Sequence, residues 1–203
     1  MKLLSYHLLP LTIAYLLLIL ANEIERAIIG SDESGRIHTE VSTDHCSWKC
    51  HDQTSSHCLP QHGGLPDSFR ESVKPFYAGM VQFLMSTGNY KSANLQLLAL
   101  IWPLLMSLLL MRLARGLEFA QKWRQSKLPT LLLGVAVAGG AFVLAKSNPY
   151  DYLTDFTLTL SRWLSLSYFD INALIFIIAW PLSTLLLLTL SILQLVTKLT
   201  RKP

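Results

Sequence analysis

Aspartate, glutamate, lysine and arginine are missing from four stretches of this 203-residue chain: Leu3 to Ala21, Ala93 to Met111, Leu128 to Ala145 and Ala173 to Val196. With 51% hydrophobic and 15% charged residues overall, that absence excludes an ordinary soluble domain. At 1.5 Å per residue each stretch is long enough, or nearly so, to cross about 30 Å of hydrocarbon as a helix. The same absence leaves no intramembrane charge to mark an ion or proton path. The chain also lacks an Asn-x-Ser/Thr acceptor, a lipobox cysteine and a prenylation or retention tail, which points to a bacterial source. No phosphate loop, HExxH pattern or Ser/His/Asp order is found, so the common hydrolytic and nucleotide-dependent chemistries have no sequence support.

Four spans put both termini on one side, and the basic residues choose which. The chain ends and the Arg112–Lys127 connector hold Lys2, Arg112, Arg115, Lys122, Arg124, Lys127, Lys198, Arg201 and Lys202 against the single acid Glu118. The other two connectors dilute their basic residues among the remaining acids. Cytoplasmic flanks are enriched in lysine and arginine, so the expected topology is N-in and C-in, in a plasma membrane of bacterial inner-membrane type. The net charge of +4 belongs to these flanks and gives no reason to expect nucleic acid.

The expected organisation is a signal-anchor helix at 1–21, an outer loop at 22–92 and a second span at 93–111. A basic cytoplasmic connector at 112–127 and a third span at 128–145 follow. An outer connector at 146–172, a fourth span at 173–197 and a basic tail at 198–203 complete the chain. The first span resembles a secretory signal peptide in its basic start and apolar run, but Asn22-Glu23-Ile24 is a poor cleavage site and a retained helix is expected. Within the outer loop, Ser68-x-x-Glu71 has the capping-box pattern, and apolar residues from Phe69 to Met85 recur at helical spacing around Pro75. An interfacial amphipathic helix is expected there. In the second outer connector Leu153, Phe156, Leu160, Trp163 and Leu164 share one helical face, in competition with a period-two strand reading.

Two segments repeat. Tyr90-x3-Asn94-x7-Trp102-Pro103 leads into the second span, and Tyr168-x3-Asn172-x7-Trp180-Pro181 leads into the fourth with identical spacing. The first and third spans both open on Leu-Pro. The expected fold is therefore an all-α integral membrane bundle of two parallel hairpin repeats related by a pseudo-twofold axis along the membrane normal. Such repeats occur in transporters, where proline-interrupted helices flank a central site. Packing kinks are the plainer reading.

All three cysteines and four of the six histidines lie in His45–His62. Outside the cytoplasm a structural disulfide among Cys46, Cys50 and Cys58 is the first expectation, leaving one thiol over. The second is a metal site: Cys46, Cys50, Cys58 and His62 form two short-spaced pairs suited to tetrahedral Zn, with His51 or His57 as substitutes that would also suit Cu.

Cys46-x3-Cys50-His51 resembles a c-type haem attachment motif with one extra residue. That resemblance implies thioethers at Cys46 and Cys50, His51 as axial ligand and Met80 or Met85 as a second one. Four spans with outer cysteines are also similar in topology to the quinone-coupled disulfide-forming enzymes and vitamin K epoxide reductases. Their C-x2-C pair is absent and the second outer connector holds no cysteine, so no catalytic residue is carried over. The sequence favours a non-catalytic partner or assembly subunit in the bilayer, facing another membrane or extracytoplasmic protein. The alternatives are a redox or metal- or haem-handling membrane enzyme, and a small transporter built on the repeat.

Overall fold

The computed structural model describes residues 2–40, 45–52, 64–115 and 117–200. The elements it describes are helical, and no strand occurs among the described residues. Three helices are long and apolar enough to cross a membrane, over Tyr90–Ala114, Leu128–Ala145 and Tyr168–Thr197. Few of their residues are buried inside the protein, as befits helices whose outer faces meet hydrocarbon rather than water.

The first apolar run folds as α1 (Lys2–His7) and α2 (Leu9–Ile29). Proline stands early in α2, where its missing N–H costs least. The break before it is filled from another helix. The Ser107 hydroxyl donates to the His7 carbonyl at 2.8 Å and accepts the Leu11 N–H at 3.4 Å, bridging a pair that an unbroken helix would join directly. α2 is not among the three spans above, because Glu23, Glu25 and Arg26 occupy its last two turns.

After α3 (Trp48–Asp52) and α4 (Asp67–Ser86) comes α5, which runs α-helical over Tyr90–Asn94, π-helical over Leu95–Ile101 and α-helical again over Trp102–Ala114. α6 (Glu118–Gln125), α7 (Leu128–Lys146) and α8 (Pro149–Leu164) follow. α9 then repeats the three-part form of α5 over Tyr168–Asn172, Ala173–Ala179 and Trp180–Thr200. Both composite helices start from a side-chain cap, Asn89 and Ser167. In both, the π segment ends with a Trp N–H reaching five residues back, Trp102 to Leu97 and Trp180 to Ile175. A proline follows each Trp. Having no N–H, it cannot continue the α ladder and would press on the carbonyl four residues behind, and the wider π turn relieves that conflict.

α2 packs on α7 and α5, and α5 packs on α9, so the long helices stand in the order α7, α2, α5, α9. This neighbour pattern is not that of a twofold axis, since no comparable packing joins α7 to α9. α1 lies at one end, where Tyr6 is buried with Met111, Ala114 and Ala120. α2 ends beside α8 at the other, so it runs the length of the bundle. That second end is covered by a cap made of residues 30–40 and 45–47, α3 and α4.

The capping box expected at Ser68 does not form. α4 begins two residues earlier, at Asp67 behind Pro66 as N-cap, with no side-chain cap. A complete capping box instead starts α9, between Ser167 and Asp170. The helix reading of the second connector holds, as α8.

Candidate functional site

α8 has two working faces, and the polar one is the more buried. Asp151, Asp155, Thr159 and Ser161 are all buried, and so are Tyr150, Tyr152, Thr154, Thr157 and Leu158. Trp163 and Leu164 are exposed. The polar face receives the cap. Arg36 bonds Asp151 through Nε at 3.1 Å and Nη2 at 2.9 Å, and its guanidinium lies 4.3 Å from the centre of the Trp48 ring. One oxygen of Asp155 accepts the Ile37 N–H at 3.1 Å and the Trp48 indole N–H at 2.8 Å. His38 takes a left-handed backbone conformation (φ 58°), held by its carbonyl on the Trp48 N–H and its ring on the Thr159 hydroxyl at 3.2 Å.

Below this seam Glu25 of α2 is fully buried. Arg162 bonds one of its oxygens and the Trp163 indole donates to the other at 2.9 Å. His38 Nε2 lies 3.9 Å from the same carboxylate. Burial pushes the imidazole down to about 4, against the pull of Glu25, so His38 is neutral at pH 7 and Arg162 is the counterion. Burial likewise pushes the Asp155 carboxyl up to about 7, although the bonds from Trp48 and Ile37 pull it down. Its other oxygen has no hydrogen-bond partner among the described residues. A second anchor joins α4 to α9: Arg70 grips buried Asp170 with two bonds, 3.0 and 2.8 Å, and the Leu65 N–H adds a third at 3.2 Å.

The cysteine–histidine stretch is described in part. Cys46 and Cys50 are buried with Trp48 and Leu158, and no disulfide joins the two. Cys46 Sγ accepts the Tyr168 N–H at 3.1 Å. His51 bonds the Tyr150 hydroxyl at 2.9 Å and packs edge-on to Tyr168. Cys50 and His51 line a cavity of about 520 Å³ with Tyr77, Tyr90, Tyr168 and Met85. Cys58, His57 and His62 lie outside the described residues, as does any tetrad they would complete. Among the described residues no three His, Cys, Asp or Glu side chains are placed to hold a metal.

The apolar face of α8 roofs a different cavity, of about 440 Å³, between α2, α5 and α9. Leu153, Phe156 and Leu160 come down from the roof, and Asn94, Pro103, Tyr168, Asn172 and Trp180 line the walls. The structure thus brings together five of the eight residues singled out by the repeat. Tyr90 lines the Cys50 cavity instead. Trp102 stacks at an angle on Trp180, ring centres 5.7 Å apart, and donates to the Thr184 hydroxyl at 2.8 Å. No charged side chain lines the central cavity. Its amides are used locally at one end: Asn94 Nδ2 bonds the Tyr90 hydroxyl at 3.3 Å and Asn172 Nδ2 the Tyr168 carbonyl at 2.7 Å.

No known protein family, curated protein or solved structure matches the chain. Sequence reasoning missed Glu25, His38, Asp155 and Arg162. The available signal was the Asp151, Asp155, Thr159, Arg162 spacing, a polar stripe along a helix whose opposite face is apolar.

Proposed function

We propose that the protein is a non-catalytic membrane protein that binds a small neutral apolar molecule in the cavity beneath α8, as a small carrier does. In this reading α2 crosses the membrane as a fourth span, the termini are cytoplasmic and the cap is extracytoplasmic, as the basic flanks favour. The observation that carries the proposal is the lining: Asn94 and Asn172, from matching positions after matching caps, face one uncharged cavity beside two π-helical segments. Irregular helical turns at membrane depth are tolerated where they are buried or line a cavity, and π segments concentrate at functional sites. An apolar pocket with a few convergent polar groups suits a ligand oriented by hydrogen bonds rather than by charge.

Solvent extraction of the purified protein, followed by mass spectrometry, tests this. One neutral compound should be enriched over bulk lipid in wild type and lost in Ala14→Trp, whose side chain would fill the cavity. A wild-type extract no different from the Ala14→Trp extract would sink the reading.

A second reading, a partner or assembly subunit in a larger membrane complex, is favoured by the seam. Its buried charges pair with one another, Glu25 with Arg162 and Arg70 with Asp170. Beside these pairs, the Trp48–Asp155 and His51–Tyr150 bonds hold residues 45–52 on the bundle as a surface to be presented. Co-purification of a defined stoichiometric partner, lost when Lys49 and His51 are replaced while the bundle stays folded, would put this reading first.

A further inference from the structure

The two Trp-Pro sites differ in what their indoles meet. Trp102 donates to the Thr184 hydroxyl, which stands one helical turn beyond Trp180. One turn beyond Trp102 the chain has Met106 instead, whose sulfur lies 3.1 Å from that same hydroxyl. Trp180 thus lacks the acceptor that the repeat provides for Trp102, and its indole N–H has no hydrogen bond among the described residues. Trp180, not Trp102, lines the central cavity. Its ring is held there between Phe176 and Trp102, with ring centres 4.9 and 5.7 Å away.

Tryptophan ordinarily sits at the membrane–water boundary, where its N–H finds water or lipid head groups. With the capped start of α9 at the outer boundary, Trp180 lies about 18 Å along the helix from Tyr168, deep in a hydrocarbon core of about 30 Å. Hydrocarbon offers no acceptor at that depth, and a stranded donor is costly. The neighbouring polar groups of the lining are already engaged. Tyr15 bonds the Ala99 carbonyl, which Pro103 has no N–H to reach, and Thr154 and Thr157 bond carbonyls of α8. Asn94 and Asn172 bond Tyr90 and Tyr168.

Resting on the ligand-binding reading above, we propose that the Trp180 indole is the specificity-determining donor of the central cavity. Its ligand is then a neutral apolar molecule that carries an acceptor oxygen, as a ketone, ester, ether or alcohol does. A plain hydrocarbon would leave the Trp180 N–H unpaired, and an anionic or zwitterionic group would find no counter-charge in this lining.

The test titrates the full chain in dodecyl maltoside with acetylnaphthalene and isopropenylnaphthalene, probes of one shape of which only the first carries an oxygen. Partition into detergent is common to all variants, so the ratio of the two affinities isolates the donor. Trp180→Phe should lower the preference for the ketone about fivefold, the usual worth of one net hydrogen bond. Met106→Thr should lower it with the indole in place, by giving Trp180 the hydroxyl its position in the repeat lacks, and it decides the matter if Trp180→Phe does not fold. Trp102→Phe should keep the wild-type ratio while melting lower. A wild-type ratio in both Trp180→Phe and Met106→Thr overturns the assignment and leaves the cavity as a binding site. An equal fall in Trp102→Phe marks a general packing effect and overturns the assignment as well. Binding of both probes no tighter in wild type than in Ala14→Trp overturns the reading on which this inference rests.

Discussion

The Asp155 carboxylate and the Trp48 indole meet at 2.8 Å, and through that bond a loop from the first half of the chain is fastened to a helix from the second. Asp155 and His38 then set opposite pH responses. A carboxyl held at about 7 when folded, against 3.8 otherwise, keeps its proton in the folded state, so its contribution to stability falls as pH rises from about 4 to 7. An imidazole held at about 4, against 6.5, does the reverse: the unfolded chain binds the proton in that window, and stability climbs with pH from about 4 to 6.5. Glu25, His45 and Arg162 act on His38, and Arg26 and Asp151 on Asp155. The two slopes oppose each other in wild type. Asp155→Asn should expose the His38 slope as a steep loss of thermal stability on acidification below pH 6.5. His38→Gln should leave the protein losing stability as pH rises from 4 to 7. Melting curves across pH read both, and parallel curves for the two variants would contradict the pairing.

Arg70→Ala leaves Asp170 buried with its main counter-charge removed. Breaking one side of a buried pair costs about 3–5 kcal/mol, and the partner's burial here is complete. Arg70→Lys should recover only part of this, because an ammonium cannot reproduce the two parallel bonds. Gly64→Ala tests the same anchor from the backbone side: its Cβ would fall 2.0 Å from both Arg70 Nη2 and Asp170 Oδ2. Limited proteolysis should find the cap released in Arg70→Ala and Gly64→Ala with the bundle intact.

Three of the four expected spans, in α5, α7 and α9, were legible because a run without charge has few other uses, and the Trp-Pro positions were legible because their spacing repeats. The cavity-facing residues Leu153, Phe156 and Leu160 were legible as one helical face. The buried face of α8 was not. Polar residues opposite an apolar stripe ordinarily read as solvated, and the groups that bury these are remote in sequence, with Arg162 and Glu25 137 residues apart. The Ser68 pattern failed because Pro66 stands at the N-cap and the helix has started at Asp67 before Ser68 can cap it. The π turns were hidden for a different reason. Proline announces a conflict in the ladder but does not say whether a kink or a wider turn resolves it.

Tyr15→Phe removes the only side-chain donor seen on the Ala99 carbonyl among the described residues and should cost about 1 kcal/mol, the usual net worth of such a bond at a part-buried acceptor. Pro103→Ala gives the chain back an N–H that can reach this carbonyl. In that background the same Tyr15→Phe change should cost much less. The coupling from the four melting curves is the measurement; simple additivity would mean that Tyr15 does not compensate for the proline.

Orientation gives the last prediction. α1 packs beside α6 at one end of the bundle, whereas α2 reaches Asn22 and Glu25 under the cap, where Asn22 bonds the Tyr152 carbonyl at 2.8 Å. If α2 crosses the membrane, residue 2 and residue 121 share one side and residue 49 lies on the other. Lys49 and Gln121 are exposed, while Cys46 and Cys50 are buried, so with Cys58 replaced by Ser in every variant the background for thiol labelling is low. With an impermeant maleimide on intact cells, Lys49→Cys should label above wild type at once. Lys2→Cys and Gln121→Cys should label only after permeabilisation. Labelling of Lys2→Cys together with Lys49→Cys in intact cells would leave three crossings instead of four. The reverse pattern at all three positions would place the cap in the cytoplasm, in a reducing compartment where a disulfide at Cys46, Cys50 or Cys58 would not persist.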